Sequence, residues 1–330
     1  MILDEPLRKL TCEACGALIG ANSRSVQPYR RSDGRALGDI LRHARIAEGI
    51  KHQIERLGLS GPVLEVGAAS FETAIQLANL RPDLRVVAIE PEPESLPSET
   101  TIEMHFSTFE EMNFTELFGV IYSNHVLEHV PQTSTFLGRI AGALATDGVA
   151  LVVCPCGLRP SHELLFSDHH YHFTPRAIAL AAADAGLALL QSMPCPWEPL
   201  SRLFVFARGA GLIPAAPPDL MDARRSYLSI WAETDSRLLP LLGEAPLLFG
   251  AGEFSQLIRA YLPGVFDRIE AILVDDLRGA RAFPKPLLRL SDIDLRGRTI
   301  LIGVRPEAVP VVWGRLEALG AGRLLAVPIG

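Results

Sequence analysis

Short apolar runs alternate with stretches of helical periodicity through the middle of the chain. Each run is nearly free of polar residues, which is typical of strands buried on both faces of a parallel sheet. The stretches between them place apolar residues every three or four positions, as one face of a helix does. The pattern predicts a doubly wound, Rossmann-like α/β domain over residues 60–208. Its predicted strands are 63–66, 85–89, 118–122, 149–153 and 202–207, and its predicted helices are 71–80, 136–144 and 177–185.

The flanking segments depart from this pattern. Residues 1–59 form an entry segment with one predicted helix over 38–57. Residues 209–218 hold three prolines and two glycines, which marks a linker, and a helix is predicted over 219–242, so that 209–245 joins two domains. Residues 246–330 repeat the strand and helix alternation and predict a smaller Rossmann-like α/β domain. Its strands are predicted at 246–249, 269–274, 298–302 and 323–327.

Composition narrows the class of protein. The net charge of −7 over 330 residues argues against a general nucleic-acid binder, and the basic stretch at 29–31 is short. No stretch approaches the roughly 18 apolar residues that a membrane span needs. Asp4 and Glu5 precede no apolar run, so we expect no secretory leader, and five cysteines favour a reducing compartment. We therefore expect a cytoplasmic enzyme with a small-molecule substrate, for which a homo-oligomeric state stays open.

A small-residue turn follows the first predicted strand of the larger domain. The sequence there is Val63-Leu-Glu65-Val-Gly67-Ala-Ala69-Ser70, and the next strand ends at Glu90, 23 residues after Gly67. Small residues let a ligand approach the backbone, and an acid at the end of the second strand is where ribose hydroxyls are held in doubly wound folds. The alternative is a structural turn with an incidental acid.

Residues 60–207 resemble the class I S-adenosylmethionine-dependent methyltransferases, with the motifs in the family's order. The matching segments are 63–70, 87–91, 107–110, 118–130, 144–155 and 173–187. The resemblance implies S-adenosylmethionine as cofactor, surrounded by Glu65, Gly67, Ala69, Glu90, Thr108, Phe109 and Asn124. The sequence departs from the family at Phe71, where a third glycine is usual. Ala69 takes the place of the second glycine, which is a mild change, whereas we expect Phe71 to crowd the turn beside the methionine portion of the cofactor. Either the turn then differs in shape, or the protein has altered its use of the cofactor.

His125, Glu128 and His129 have i, i+3, i+4 spacing, which on a helix puts them on one face. Such a face can present metal ligands, and some members of the family bind a divalent metal at this place with Glu-x-x-Glu-His and a later histidine. The second interpretation is that these side chains brace the helix without metal. In a third, His125 or a later histidine is the general base. The catalytic candidates are His125, His129, His169, His170 and His172, and the later cluster also holds His162, Glu163 and Asp168.

Two further motifs carry weaker signals. Cys12 and Cys15 form half of a zinc ribbon, with two ordinary thiols as the alternative. Gly250-Ala-Gly252-Glu253, with Asp275 after the next strand, has the shape of a nucleotide-binding turn, although Glu253 would repel a phosphate. A structural or substrate-holding role is favoured for it. The order of cysteine pair, methyltransferase core and small C-terminal domain is similar to sugar C-methyltransferases, but their His-Gly-Gly-Ser stretch has no counterpart after Phe206.

The leading hypothesis is a methyltransferase for the oxygen, nitrogen or carbon of a small acceptor, such as a sugar nucleotide or a natural-product intermediate. The alternative is an accessory protein that keeps the fold to hold a substrate, which Phe71 would favour. A third hypothesis is a dinucleotide enzyme that uses the Gly250 turn.

Overall fold

The computed structural model describes residues 7–23, 37–93, 101–277 and 283–328, and of residues 37–40 it describes the backbone alone. The basic stretch at 29–31 therefore lies outside the described residues. The chain divides into two compact units, one ending at Met221 and the other running from Asp222 to Gly330. Among the helices that the structure describes, none has both the length and the apolar character that crossing a bilayer requires.

The first unit contains ten strands and four helices within its described residues. The strands are β1 Lys9–Thr11, β2 Leu18–Gly20, β3 Val63–Val66, β4 Val86–Ile89, β5 Glu103–His105, β6 Phe118–Asn124, β7 Leu144–Pro155, β8 Tyr171–His172, β9 Leu187–Pro194 and β10 Ser201–Arg208. The helices are α1 Leu37–Leu57, α2 Glu72–Leu80, α3 Thr133–Ala143 and α4 Pro175–Asp184, with 3-10 turns at Leu127–His129 and His162–Leu165.

Seven of these strands form the central sheet, in the order β5-β4-β3-β6-β7-β10-β9. The strands from β5 to β7 run parallel, and β10 is antiparallel to both β7 and β9. The side chains of these strands pack into two separate buried apolar clusters. One cluster includes Ile50 of α1 and Leu77 of α2, and the other includes Ile140 of α3 and Ile178 of α4. Burying each large apolar side chain contributes about 1.5–3 kcal/mol to the stability of the fold. The two clusters therefore stabilise the doubly wound arrangement that the sequence predicts.

A second, three-stranded sheet joins the N-terminal hairpin to the later part of the domain. Strand β1 pairs with β2, and β2 pairs with β8 at the end of the histidine-rich segment. The loop of the hairpin is fixed because the Thr174 hydroxyl donates to the Cys15 carbonyl oxygen at 2.5 Å. The same Thr174 oxygen accepts from the Ala177 N–H and caps α4, where Pro175 occupies the first turn. The sequence did not predict this hairpin.

The second unit is a parallel α/β domain, as predicted. Its elements are α5 Met221–Leu238, β11 Leu247–Phe249, α6 Glu253–Tyr261, α7 Pro263–Arg268, β12 Ala271–Val274, β13 Leu287–Arg289, β14 Thr299–Ile302, α8 Val309–Ala318 and β15 Arg323–Ala326. Short 3-10 turns lie at Leu239–Leu241, Leu290–Asp292 and Pro306–Ala308. The five strands follow the order β13-β12-β11-β14-β15, all parallel. Helix α5 belongs to this unit apart from its first residue, and its buried Trp231 packs against Phe254 and Tyr261 of α6.

Candidate functional site

The turn between β3 and α2 has an unusual backbone. Gly67, Ala69 and Phe71 all adopt positive φ angles, of 76°, 54° and 63°. A Cβ at Gly67 would lie 2.3 Å from Cγ2 of Val126, so only glycine fits there. The N–H groups of Gly67 and Ala68 both donate to the Ile89 carbonyl oxygen, which ties the turn to the end of β4. Non-glycine residues in this region are strained and cluster at functional sites, which singles out this turn.

Glu90 lies directly after β4, beside this turn. Its Oε2 accepts from the Ala69 N–H at 2.9 Å, and its Oε1 accepts from the Glu92 N–H at 3.2 Å. Glu65, in β3, is buried within the sheet, and this burial raises the pKa of its carboxyl to about 8. At neutral pH Glu65 is therefore largely uncharged, and Glu90 is the acid of this pair that faces the turn from the strand end.

The remaining predicted cofactor residues lie around the same sheet edge. The Thr108 hydroxyl donates to Glu111 at 2.8 Å, while the Phe109 ring is buried against Phe136, with ring centres 5.2 Å apart. The Phe109 ring is thus part of the core. Asn124 ends β6, and its buried Oδ1 has no hydrogen-bond partner within the described part of the chain.

Phe71 does not crowd the turn, contrary to the expectation from sequence. Its ring is fully buried in the cluster that includes Ile46 and Ala74, and it meets Phe106 edge to face with centres 5.8 Å apart. The positive φ angle turns the side chain inward, so the phenylalanine supports the turn from the core side.

The prediction that His125, Glu128 and His129 share one face of a helix is wrong, because the three residues do not lie on one helix. His125 has a positive φ of 56°, and the helical part is only the 3-10 turn Leu127–His129. Val130 is extended, as residues before a proline usually are, so the turn cannot continue past it. His125 instead lies between two carboxylates. Its Nδ1 is 2.9 Å from Oε1 of Glu128, and its Nε2 is 2.6 Å from Oε2 of Glu198.

Three residues that the sequence analysis missed complete this network. Arg42 of α1 donates from Nε to Oε1 of Glu198 at 2.7 Å, and Ser201 Oγ lies 3.0 Å from His125 Nε2. Glu198 sits between β9 and β10 in the stretch Pro196-Trp197-Glu198-Pro199, and no local pattern distinguishes it from a surface acid. Nothing in the sequence marks Arg42 or Ser201 either, since the contacts span 156 and 76 residues.

The two carboxylates set the charge state of His125. Burial opposes the charged imidazole, but the pairing with Glu198 and Glu128 raises the pKa of His125 to about 10. Burial likewise opposes the charged form of Glu198, and His125 and Arg42 nevertheless lower the pKa of this carboxyl well below its usual range. At neutral pH His125 is thus a doubly hydrogen-bonded cation. This state argues against the general-base role considered for it.

The later histidines gather beside the same 3-10 turn. The rings of His129 and His169 meet edge to face with centres 4.8 Å apart, and those of His169 and His172 are 5.4 Å apart. Lys9 of β1 reaches His172, with Nζ 2.7 Å from Nε2. Burial lowers the pKa of Lys9 to about 7 and holds that of His169 well below its usual value. His170 is more open, although partial burial lowers its pKa as well.

One group of side chains in the described part of the chain could hold a metal ion. It consists of Glu128, His129 and His169, with one ligand atom from each lying within 4.8 Å of the others. Cys12 and Cys15 sit in the β1–β2 loop and are not part of such a group among the described residues.

The glycine turn of the second unit is built for close packing. Gly250 has a φ of 104°, and the Ser255 hydroxyl bridges the carbonyl oxygens of Gly250 and Gly303 at 2.7 and 2.8 Å. Asp275, the predicted nucleotide-binding acid, forms a two-pronged ion pair with Arg315 at 2.9 and 2.7 Å. These contacts favour the structural interpretation of this turn.

Comparison with known proteins relates part of the chain to methyltransferases. Residues 40–192 match a family model described as a methyltransferase domain. The match covers less than half of the chain, and it shows that this region is similar to methyltransferase domains. The chain is 32% identical over 116 residues to methyltransferase str3 of Strobilurus tenacellus, and 33% identical over the same length to str2. In both cases the match covers 33% of this chain and 42% of the relative, so the chain spans less than half of the length of either.

Solved structures show weaker likenesses to the chain. The mitomycin 7-O-methyltransferase MmcR is 19% identical, with a TM-score of 0.41 over 53% of this chain and 56% of that one. The CcbJ methyltransferase from Streptomyces caelestis is 15% identical, with a TM-score of 0.42 over 55% of this chain and 99% of that one.

Proposed function

We propose that the protein is an S-adenosylmethionine-dependent methyltransferase that acts on a small-molecule acceptor. The observation that carries the proposal is the position of Glu90 beside the Gly67 turn. Its carboxylate stands at the carboxyl end of β4, where ribose hydroxyls bind in this class of fold, and its Oε2 already accepts from the Ala69 N–H. The buried Oδ1 of Asn124 at the end of β6, which has no hydrogen-bond partner among the described residues, fits a polar ligand at the same edge.

Three residues of the turn and the strand ends have different roles in cofactor binding. Glu90 would hold the ribose hydroxyls, and the backbone at Gly67 lets the cofactor approach because no side chain fits there. Glu65, largely neutral at pH 7, adds little negative charge beneath Glu90. When bound, S-adenosylmethionine supplies an electrophilic methyl group attached to a positively charged sulfur.

The ion network around His125 keeps its surroundings electrically neutral. Two cations, His125 and Arg42, face two carboxylates, Glu198 and Glu128, so the four charges cancel. An unpaired imidazolium would repel a sulfonium cofactor, and the carboxylates remove that repulsion. In this proposal His125 positions the strand end and does not remove a proton.

Proton removal from the acceptor falls to the later histidines in this proposal. Of these, His170 and His172 are the candidate bases, and Lys9 touches the second of them. Transfer then forms a bond between the acceptor atom and the methyl carbon, breaks the sulfur–carbon bond and releases one proton to the base or to water. Natural-product intermediates and sugar nucleotides are the acceptor classes that we carry forward, with O-, N- and C-methylation all open.

Calorimetric titration with S-adenosylhomocysteine, the demethylated product, tests this function. The parent protein should bind it, and Glu90→Gln should weaken binding roughly 10- to 100-fold, because a hydrogen bond to a charged group contributes about 1.5–3 kcal/mol. The matched control is Glu92→Gln, an exposed acid two residues away, which should bind as the parent does. An absence of binding to the parent, or unchanged binding by Glu90→Gln, would contradict the proposal.

The alternative of an accessory protein has lost its main support. It depended on Phe71 obstructing the cofactor turn, and that ring lies in the core. The dinucleotide hypothesis is also weakened, because Asp275 is engaged by Arg315.

A further inference from the structure

A carboxylate and two imidazoles converge beneath the loop that precedes β8. Glu128 and His129 come from the 3-10 turn after β6, and His169 comes from the later loop. The His170 N–H donates to the Glu128 carbonyl oxygen at 2.8 Å, which fastens that loop to the turn. As a result, three potential ligand atoms from two distant parts of the sequence lie within 4.8 Å of one another.

Two polar atoms of this cluster are buried without a hydrogen bond. Glu128 is 0% exposed, and while its Oε1 contacts His125, its Oε2 has no hydrogen-bond partner among the residues described. His169 is 5% exposed, and its Nδ1 is in the same situation. A buried polar group left unsatisfied costs about 1–3 kcal/mol, and more when it is charged. A bound cation would remove this penalty for the Glu128 carboxylate.

Further carboxylates lie behind both imidazoles. His129 Nδ1 is 3.2 Å from the Asp168 carbonyl oxygen and 3.7 Å from the Asp168 Oδ2. His169 Nδ1 is 3.7 Å from Oε2 of Glu163. Metal-binding histidines commonly direct one ring nitrogen at a carboxylate or a carbonyl oxygen and use the other as the ligand. His129 has such an oxygen within hydrogen-bond distance, whereas the Glu163 carboxylate approaches Nδ1 of His169 without a hydrogen bond.

We propose that Glu128, His129 and His169 bind one divalent transition-metal ion. Two imidazoles and one carboxylate suit zinc, iron(II) or manganese, whereas magnesium and calcium prefer oxygen ligands. His125 is not a ligand, since each of its ring nitrogens faces a carboxylate. Ligands of an ion at about 2.1 Å lie roughly 3–4 Å apart, so binding draws the three groups together by about 1 Å. The site does not depend on whether the domain transfers a methyl group.

Metal content after loading with zinc ions and gel filtration tests the site. The parent should retain about one ion per chain, whereas Glu128→Gln and His169→Asn should retain almost none. His52→Asn, which alters an exposed histidine, should retain the parent's content. The double variant Cys12→Ser, Cys15→Ser should also keep it. An absence of bound zinc in the parent, or loss in the cysteine variant with retention in Glu128→Gln, would overturn the proposal.

Chemical modification of histidines in the parent protein tests the metal site without any substitution, so the result does not depend on whether a variant folds. The His129 side chain is 24% exposed, so diethyl pyrocarbonate can reach it. Zinc ions should slow the modification of His129 at least several-fold, measured by peptide mass spectrometry, and leave His52 unaffected. Equal modification rates of His129 with and without zinc would overturn the proposal whatever the variants do.

Discussion

His125 Nε2 lies 2.6 Å from Oε2 of Glu198, although 73 residues separate the two in the chain. The contact joins the end of β6 to the segment before β10, and Arg42 adds α1 to the same carboxylate. Three elements that are remote in sequence thus meet at one buried ion pair beside the carboxyl end of β6. The arrangement holds His125 in its left-handed backbone conformation, which a non-glycine residue does not adopt without such support.

Removing the charge of Glu198 should destabilise the first unit. Glu198→Gln leaves His125 and Arg42 without their shared carboxylate, and breaking a buried pair in this way costs about 3–5 kcal/mol. Urea denaturation followed by circular dichroism measures the loss. Asp83→Asn, which breaks the surface pair between the exposed Asp83 and Arg81, is the control and should show no measurable change. Equal losses in the two variants would contradict the role given to Glu198.

Two substitutions of Phe71 separate the stability gained by burying its ring from the cost of its positive φ angle. Phe71→Ala should destabilise the domain by about 3–5 kcal/mol because a large side chain leaves the core. Phe71→Gly should cost about 0.5–1 kcal/mol less than the alanine variant, since glycine relieves the positive φ angle. Thermal unfolding compares the two. If Phe71→Gly is less stable than Phe71→Ala, as is usual for glycine and alanine at one position, the backbone at residue 71 is not strained.

Gly67 should tolerate no side chain unless Val126 is also reduced. Gly67→Ala brings a Cβ to 2.3 Å from Cγ2 of Val126, in a backbone conformation that disfavours alanine by about 1–2 kcal/mol. We expect a lower melting temperature and loss of S-adenosylhomocysteine binding. Adding Val126→Ala should restore part of the stability, and the backbone strain should remain. If the double variant is no better than Gly67→Ala, the contact with Val126 is not the cause.

Glu65 should make stability depend on pH. Its carboxyl has a folded-state pKa of about 8, above the ordinary 4.5, so the folded state binds a proton that the unfolded state has lost. The stability that this proton contributes is complete below pH 4.5 and declines as the pH rises to 8. Glu65→Gln carries no titrating group there, so its advantage over the parent should grow from near zero at pH 4.5 to a few kcal/mol at pH 8. A constant difference across this range would contradict the assignment.

The sequence was sufficient to predict the sheet, and the closeness of Glu90 to the Gly67 turn, because both depend on local patterns. Apolar runs mark buried strands, and the spacing of Gly67 and Glu90 follows from one strand–helix–strand unit. The network of His125 could not be predicted, since Glu198 and Arg42 become neighbours only when distant elements pack. The spacing of His125, Glu128 and His129 was misleading because a helix needs a continuous backbone, and the left-handed His125 and the extended Val130 interrupt it.

The N-terminal hairpin shows the same limit. Its strands have three residues each, too short for a period-2 pattern to stand out, and they are fixed by pairing with β8 far along the chain. For this reason the approach of Lys9 to His172 was not foreseen. The expectation that the Phe71 ring crowds the turn is wrong for a different reason. Its side-chain direction is set by a positive φ angle that a single sequence does not reveal.

A crystal structure of the protein soaked with S-adenosylhomocysteine tests the central claim most directly. The account predicts the ribose hydroxyls within hydrogen-bond distance of the Glu90 carboxylate, and the amino acid portion beside the Gly67 turn. The adenine is predicted near Thr108, and the space next to the sulfur would outline the acceptor. Density for the product at another place, such as the Gly250 turn, or a fully occupied ligand whose ribose makes no contact with Glu90, would contradict the account.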